Sequence, residues 1–238
     1  MDNNHLIAKT EEYVKSVFEN EKGRLLVAHG FNHVDRVRNW SLRIARRESF
    51  SDLLIVEIAA LLHDIGLPSI KDESERSLHG EVGAEIAGKY LTENSRLTKE
   101  QIKQITFAIE VHTQSPALKA ENIKAAKSHG KLAEIICDAD VMDGMGAAGI
   151  MRAFMSKYFL PEYEPGNVKG DTWELSGEGF TRRIQSSPGI GEYVIDQINF
   201  QASLPDNLLT KTGRQLAEPL HQFMKSFVLQ LESEIMHL

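Results

Sequence analysis

Cysteine is almost absent from this sequence, because Cys137 is the only one among 238 residues. A single cysteine can form neither an internal disulfide nor a cysteine-based zinc finger. Its neighbours Ile135, Ile136 and Ala139 are apolar, which favours a buried small hydrophobic side chain over an exposed nucleophile. The sequence therefore contains no sign of an oxidising compartment.

Long apolar runs are lacking as well. The longest, residues 53–62, has about ten residues and is interrupted by Glu57, whereas a bilayer-spanning helix needs roughly 20. The first ten residues are polar and include Asp2, so they lack the basic start and apolar stretch of a secretory signal. We therefore expect a cytoplasmic protein with no membrane association.

Positive charge is outweighed by negative charge. The chain has 27 lysines and arginines against 34 aspartates and glutamates, a formal net charge of −7 with histidine neutral. Because a global basic footprint is absent, nucleic acid is not an expected partner. Hydrophobic residues at 42% and charged residues at 26% are typical of an ordinary globular protein and exclude a disordered chain.

Alternating strand patterns are scarce, and helical periodicity covers most of the chain. We therefore predict an all-α fold, a single-domain helical bundle over residues 1–238. Its core spans about residues 24–155, residues 159–212 form a loop-rich insertion, and residues 213–238 form a C-terminal helix that packs back on the core. The predicted helices after the one that His33 opens are 53–62, 78–91, 98–112, 131–143, 149–158 and 213–237. The C-terminal helix carries an apolar stripe at Leu216, Leu220, Phe223, Phe227 and Leu231.

An adjacent pair, His63 and Asp64, stands at the end of the most apolar predicted helix, just before Gly66. A buried carboxylate is normally paired or bound to a metal, and the negative end of a helix dipole favours a cation. Adjacent histidine and aspartate side chains can ligate one ion. On the pair alone, a helix cap with Asp64 bound to a lysine or arginine is the favoured interpretation.

Other histidines and aspartates favour a metal site over a helix cap. His112 lies at helical spacing from Ile105 and Ile109, and His79 shares a face with Ile86. Both therefore occupy core-facing stripes, on two different predicted helices. Three further acids, Asp138, Asp140 and Asp143, interrupt an otherwise apolar helix. Together these residues predict one interior site to which several helices contribute.

Four blocks in this order resemble the HD-domain metal-dependent phosphohydrolase superfamily, and within it a group of small bacterial HD hydrolases. The blocks are 33–37 (HVDRV), 59–66 (AALLHDIG), 79–84 (HGEVGA) and 138–143 (DADVMD) with Gly146 and Ala147. The resemblance spans roughly residues 30–152. The chain departs from similar proteins in having Gly30 where an acid often follows the preceding histidine, and in lacking an arginine near Leu220.

The resemblance implies that His33, His63, Asp64 and a late aspartate bind a divalent metal ion. For the late aspartate we choose Asp140, with Asp138 as the alternative. His79 and His112 match positions that hold a second ion in two-metal members and face the substrate phosphate in one-metal members. Mixed histidine and carboxylate ligands suit manganese, iron, nickel, cobalt, zinc or magnesium. The number of ions, one or two, stays open.

The implied function is a metal-dependent phosphohydrolase, in which a metal-activated water attacks a phosphate ester or anhydride, by resemblance that of a nucleotide. The expected partner is thus a small phosphorylated substrate; the sequence does not indicate an oligomeric state. An HD-type hydratase or lyase acting on a small non-phosphate molecule is one alternative, and a non-catalytic nucleotide-binding signalling module is the other. The predicted catalytic residues are Asp64, His79, His112 and Asp72, and the predicted substrate contacts are Arg36, Lys71 and Arg152.

Overall fold

The computed structural model describes residues 2–20, 28–113, 130–186 and 190–236. In these ranges the protein is helical, and the only strand-like feature is an isolated bridge between Glu164 and Asn167. The all-α prediction is thereby confirmed.

The helices are α1 (Asn3–Asn20), α2 (Phe31–Arg47), α3 (Leu53–Leu62), α4 (His79–Asn94), α5 (Lys99–Val111), α6 (Lys131–Asp143), α7 (Gly146–Ser156), α8 (Gly177–Ser186), α9 (Val194–Ala202) and α10 (Lys211–Met236). Short 3-10 helices occupy Leu67–Ser69, Glu73–Leu78 and Leu204–Asn207. No helix within the described ranges has the length and hydropathy of a membrane span.

The chain divides into two compact units. The first comprises Met1–Asp140 and Leu209–Gly213, and the second comprises Val141–Leu208 and Arg214–Leu238. The single-domain organisation, with a C-terminal helix packed back on the core, stays a prediction. Residues 24–27 at the start of the predicted core, and 237–238 at the end of the C-terminal helix, lie outside the described residues.

Helix α3 is the centre of the first unit, where it packs against α1, α2 and α5. Almost all of its side chains are buried, as its apolar sequence predicts. Its one charged residue, Glu57, accepts a hydrogen bond from Arg38 Nε at 2.8 Å, and Arg38 also pairs with Glu11 of α1. Asp52 caps the N-terminus of α3 by accepting from the backbone N–H of Ile55 at 3.3 Å. These contacts fix the N-terminal half of α3 within the first unit.

The turn after α3 and the first turns of α4 approach at backbone distance. A Cβ on Gly66 would lie 2.2 Å from the carbonyl oxygen of His79 and 2.4 Å from the backbone nitrogen of Gly83. Because both neighbours are backbone atoms, no rotamer change could relieve the overlap. Glycine at position 66 therefore permits the contact that brings His79 towards His63.

We expect Gly66→Ala to destabilise the protein by about 2–3 kcal/mol, the usual range for a methyl group forced into a filled interior. Urea denaturation followed by circular dichroism measures the change. The matched control is Gly166→Ala, because a Cβ on Gly166 meets nothing within 4 Å. An equal stability of both variants would contradict the close approach.

Most predicted helices are present, and the capping box at Thr98 and Gln101 that opens α5 is confirmed. Three helices were not predicted: α1, and within the loop-rich segment α8 and α9. The predicted apolar stripe of the C-terminal helix was wrong in part. Phe223 is 50% exposed, whereas Met224 and Val228 are fully buried. The sequence places apolar residues at both members of the pairs 223–224 and 227–228, so periodicity alone could not select the buried face.

Candidate metal centre

The ends of helices in the first unit supply a cluster of histidines and aspartates. His33 lies in the first turn of α2, His63 is the C-cap of α3, and Asp64 follows it. His79 is the first residue of α4, and His112 is the C-cap of α5. Helix ends carry these groups because a side chain there can point along the helix axis into the interior of the bundle.

The carboxylate of Asp64 lies at the middle of this cluster and is almost fully buried. Its Oδ2 atom is 3.3 Å from His33 Nε2 and 3.5 Å from His63 Nε2. Its Oδ1 atom is 3.3 Å from both His79 Nε2 and His112 Nε2. One carboxylate thus faces two different pairs of imidazoles, one pair on each oxygen.

Three of these imidazoles have their other nitrogen bound to a backbone carbonyl three residues earlier. Nδ1 of His63, His79 and His112 lies 2.8, 2.6 and 2.5 Å from the carbonyl oxygens of Ala60, Arg76 and Ile109. A carbonyl oxygen only accepts hydrogen bonds, so Nδ1 carries the proton in each ring. Each neutral ring therefore presents an unshared electron pair at Nε2, the arrangement usual for metal-binding histidines.

The Nε2 atoms face one another at short range. His33 and His63 approach to 3.1 Å between Nε2 atoms, and His79 and His112 to 3.3 Å. Two unshared electron pairs and a nearby carboxylate repel one another unless a proton or a metal ion lies between them. The donor set, imidazole nitrogens with carboxylate oxygens, is one that divalent transition metals accept. The residues present therefore fit a divalent metal ion.

Asp140 of α6 joins the same cluster, since its Oδ1 atom lies 3.3 Å from His33 Nε2. Three groups within the described residues have their ligand atoms within 4.8 Å of one another and could hold a metal ion. They are His29 with His33 and Asp64, His33 with His63 and Asp140, and His63 with Asp64 and His112. The structure thus brings together all four residues named as ligands from the sequence, while their role as ligands stays a prediction.

Burial and mutual charge shift the acid–base behaviour of the cluster. Burial lowers the pKa of His63 to about 4, with Asp64 opposing the shift. Burial alone would raise the pKa of Asp64 and of Asp140, but the imidazoles around them hold both values well below the usual range. The pKa of His112 is raised, because its hydrogen bond to Asp64 and the charge of that carboxylate outweigh burial. Near neutral pH the carboxylates are therefore ionised and His63 is neutral.

Comparison with known proteins identifies this arrangement. The family model described as HD domain matches residues 30–145, which include every histidine and aspartate of the cluster except His29. Residues 30–145 are therefore similar to an HD domain. The chain is also 29% identical over 226 residues to YpgQ of Bacillus subtilis, covering 94% of this chain and 90% of that protein.

Solved structures share the fold of this protein across nearly the whole chain. The crystal structure of Bacillus subtilis YpgQ in complex with ADP superposes with a TM-score of 0.58 at 24% identity, covering 98% of this chain and 97% of that one. An HD-superfamily hydrolase from Bacillus thuringiensis superposes with a TM-score of 0.63 at 20% identity, covering 98% of each chain. The chain therefore shares its fold with these two proteins.

The alternative ligand Asp138 is engaged elsewhere in the first unit. Its carboxylate accepts hydrogen bonds from the backbone N–H of Leu209 at 2.7 Å and of Thr210 at 2.8 Å. The hydroxyl of Thr210 donates a third at 2.7 Å. A Cβ on Gly213 would lie 2.4 Å from the same carboxylate, so the segment is packed closely against it. Asp138 anchors this segment of backbone, and the geometry favours Asp140 as the late aspartate of the candidate metal centre.

We expect Asp138→Ala and Asp140→Ala to fail in different ways. Asp138→Ala leaves two buried N–H groups and one hydroxyl without an acceptor, which should cost about 2–4 kcal/mol of stability while metal affinity survives. Asp140→Ala should keep the fold and weaken metal binding by at least about 10- to 100-fold, because loss of a residue that only orients a metal ligand already costs that much. Thermal denaturation and manganese titration of each variant measure the two effects. Loss of metal in Asp138→Ala with normal stability would reverse the assignment.

The remaining predicted site residues lie in varied surroundings. Asp72 is exposed, and its carboxylate accepts from the backbone N–H and hydroxyl of Ser74 at 2.8 and 2.7 Å, so it caps the 3-10 helix Glu73–Leu78. Lys71 is exposed and donates to the carbonyl of Pro68 at 3.3 Å. Arg36 is half-buried, one turn after His33. In the second unit, Arg152 forms a buried ion pair with Asp143 at 2.8 Å. The catalytic role of Asp72 and the substrate contacts of these three cations stay predictions.

His29 belongs to the cluster but was given no role from the sequence. Its Nδ1 atom lies 3.3 Å from Asp64 Oδ2, and its ring makes an edge contact with His33 at 5.0 Å between centroids. His29 precedes α2, so helical periodicity could not place it. The only sequence feature that could have pointed to His29 was its position four residues before His33. That spacing by itself does not predict a contact with Asp64.

Proposed function

We propose that this HD domain protein is a metal-dependent phosphohydrolase that acts on a phosphate ester or anhydride bond of a nucleotide. The observation that carries the proposal is the carboxylate of Asp64, which presents one oxygen to His33 and His63 and the other to His79 and His112. A bridging carboxylate between two sets of imidazole nitrogens is suited to one or two divalent ions.

His33, His63, Asp64 and Asp140 would hold the first ion, and His79 and His112 would hold a second one through the other oxygen of Asp64. Manganese, iron, nickel, cobalt, zinc and magnesium are all compatible with these ligands. When bound, such an ion lowers the pKa of a coordinated water and offsets the charge of the phosphate.

The histidines of the cluster differ in their access to a substrate. The side chain of His79 is 12% exposed, whereas that of His112 is 1% exposed. Where one ion is bound and Nε2 of His79 binds no metal, His79 is therefore the better candidate to accept a proton from the attacking water or to donate one to the leaving oxygen at that atom. Its Nδ1–H bond to the carbonyl of Arg76 holds the ring in one orientation for this transfer.

Two further observations support a nucleotide substrate. The structure of Bacillus subtilis YpgQ, which shares this fold, is a complex with ADP. In this chain Arg36 and Lys71 lie on segments that carry or adjoin the cluster residues, and guanidinium and ammonium groups are the usual partners of phosphate oxygens. We propose both as phosphate contacts.

The test is a metal analysis of the purified protein followed by a screen of nucleoside mono-, di- and triphosphates for release of phosphate or pyrophosphate. Each substrate is assayed with manganese, cobalt, nickel, iron, zinc and magnesium, beside metal-stripped protein as the control. Metal-dependent release is the expected result. Metal-loaded protein that hydrolyses none of these compounds would contradict the phosphohydrolase proposal. If such protein binds nucleotides without turnover, a signalling module is indicated. If it binds none of them, the next substrates to test are those of hydratases and lyases.

A further inference from the structure

His29 borders the candidate metal centre and has no part in the function proposed above. It lies two residues before α2, and its side chain is 25% exposed, whereas the other imidazoles of the cluster are at most 12% exposed. Its Nδ1 atom faces Asp64 Oδ2 at 3.3 Å. His29 therefore reaches the central carboxylate from the more open side of the cluster.

The length of this contact separates a hydrogen bond from a shared metal ion. A hydrogen bond from an imidazole N–H to an ionised carboxylate is about 2.7–2.9 Å long. The bonds from His63, His79 and His112 to backbone carbonyls measure 2.8, 2.6 and 2.5 Å. The 3.3 Å between His29 Nδ1 and Asp64 Oδ2 exceeds all of these. A hydrogen bond alone therefore accounts poorly for the separation.

The same length fits two ligands of one ion. Nitrogen and oxygen ligands about 2.0–2.2 Å from a metal lie roughly 2.8–3.6 Å apart when they are neighbours. His33 Nε2, assigned above to the first ion, is also 3.3 Å from Asp64 Oδ2. The ligand atoms of His29, His33 and Asp64 all lie within 4.8 Å of one another. His29 thus stands in the same relation to the carboxylate as His33 does.

We propose that Nδ1 of His29 is a fifth protein ligand of the first ion, in addition to His33, His63, Asp64 and Asp140. The inference rests on the metal-dependent function proposed above. Five protein ligands exceed the four of the tetrahedral sites that zinc usually occupies, but an ion with six positions accepts them and keeps one open. His29 therefore shifts the preference of the metal centre from zinc towards six-coordinate ions such as manganese.

The experiment compares the wild-type protein with His29→Phe, which keeps a ring at the edge contact with His33 but removes the ligand nitrogen. Proton NMR of the cobalt(II)-loaded proteins counts bound imidazoles, because cobalt(II) shifts the ring protons of a coordinated imidazole far outside their ordinary range. His29→Phe should lack the shifted signals of one imidazole. It should bind manganese at least about tenfold more weakly, with a smaller loss of zinc affinity.

The matched control is His5→Gln, because His5 is an exposed histidine of α1 in the same unit and is not part of the cluster. It should match the wild type in shifted signals and in both affinities. Circular dichroism establishes that each variant is folded. Should His29→Phe fail to fold, His29→Gln is measured in the same way, since it also removes one imidazole.

A folded His29→Phe protein that keeps every shifted signal would overturn the proposal, because His29 would then only orient Asp64. Unchanged manganese affinity, or equal losses for manganese and zinc, would overturn it as well. Wild-type protein that binds no cobalt(II) would overturn both this inference and the metal centre. Wild-type protein that shows the His29 signals but hydrolyses no nucleotide would support the inference and contradict the phosphohydrolase proposal alone.

Discussion

Asp64→Ala is expected to lose bound metal and to reduce turnover at least about a thousandfold, equivalent to roughly 4 kcal/mol of transition-state stabilisation. The physical reason is the position of the carboxylate. Each of its oxygens lies 3.3–3.5 Å from two imidazole Nε2 atoms, so its removal takes away the one group that both pairs share. Asp140 remains beside His33, but no carboxylate is left between His79 and His112 to offset the charge of a divalent cation there.

The measurement for Asp64→Ala is metal content by elemental analysis, with turnover assayed on whichever phosphate ester the wild type hydrolyses. Circular dichroism establishes that the variant is folded. Asp35→Asn is the matched control, because Asp35 lies on α2 two residues from His33 and its side chain is 48% exposed. It should retain metal and activity. A folded Asp64→Ala protein with full metal content and full activity would refute the candidate metal centre.

Metal affinity is expected to fall on acidification, by about tenfold per pH unit for each proton that the ion must displace. His112 sets the upper part of this dependence, because its pKa is raised by Asp64 above the ordinary value of 6.5. Below that pKa a proton on His112 Nε2 is held by Asp64 Oδ1, 3.3 Å away, and an ion that uses these atoms must release it. Affinity therefore increases with pH until His112 is neutral and is then constant.

The other residues of the cluster determine at which pH the slope of metal affinity against pH changes. The pKa values of Asp64 and Asp140 are held well below the usual range, so neither carboxylate competes for protons in neutral or mildly acidic solution. His63, with a pKa of about 4, begins to compete only near that pH. We therefore expect affinity to fall as the pH drops through the pKa of His112, and to fall more steeply near pH 4, where His63 also takes up a proton.

Isothermal titration with manganese between pH 5 and pH 8, in buffers of different ionisation enthalpy, gives both the affinity and the number of protons released. His112→Asn serves as the comparison, since it removes the titrating ring while His33, His63 and Asp140 remain. Its slope above pH 5 should be flatter than that of the wild type. An affinity independent of pH between 5 and 8 in the wild type would show that His112 holds no displaceable proton.

The helical class and the residues of the metal centre were predictable from the sequence for separate physical reasons. Helices α3, α5 and α6 have apolar positions at helical spacing and recognisable ends, so their bounds and the capping box of α5 follow from local chemistry. The histidines of the cluster stand at or beside those ends. An ionisable side chain at the end of a buried stripe is costly without a partner, and this cost made the residues conspicuous.

Helices α1, α8 and α9, and the buried face of α10, were beyond the reach of such reasoning. Helix α10 offers Phe223 beside Met224, and the choice between them depends on what the helix packs against. Propensity and periodicity act over a few residues, whereas these features depend on long-range packing.

By itself, the sequence determined the all-α class and the helices that carry the site. The set His33, His63, Asp64 and Asp140 came from the resemblance to a family, and its role as a ligand set stays a prediction. Only the tertiary structure decided how Asp64 is used, with one oxygen towards each pair of imidazoles, and that Asp138 anchors the backbone of Leu209 and Thr210 instead. The reason is that residue type and spacing specify which groups are buried, while the direction of each lone pair depends on helices brought together from distant parts of the chain.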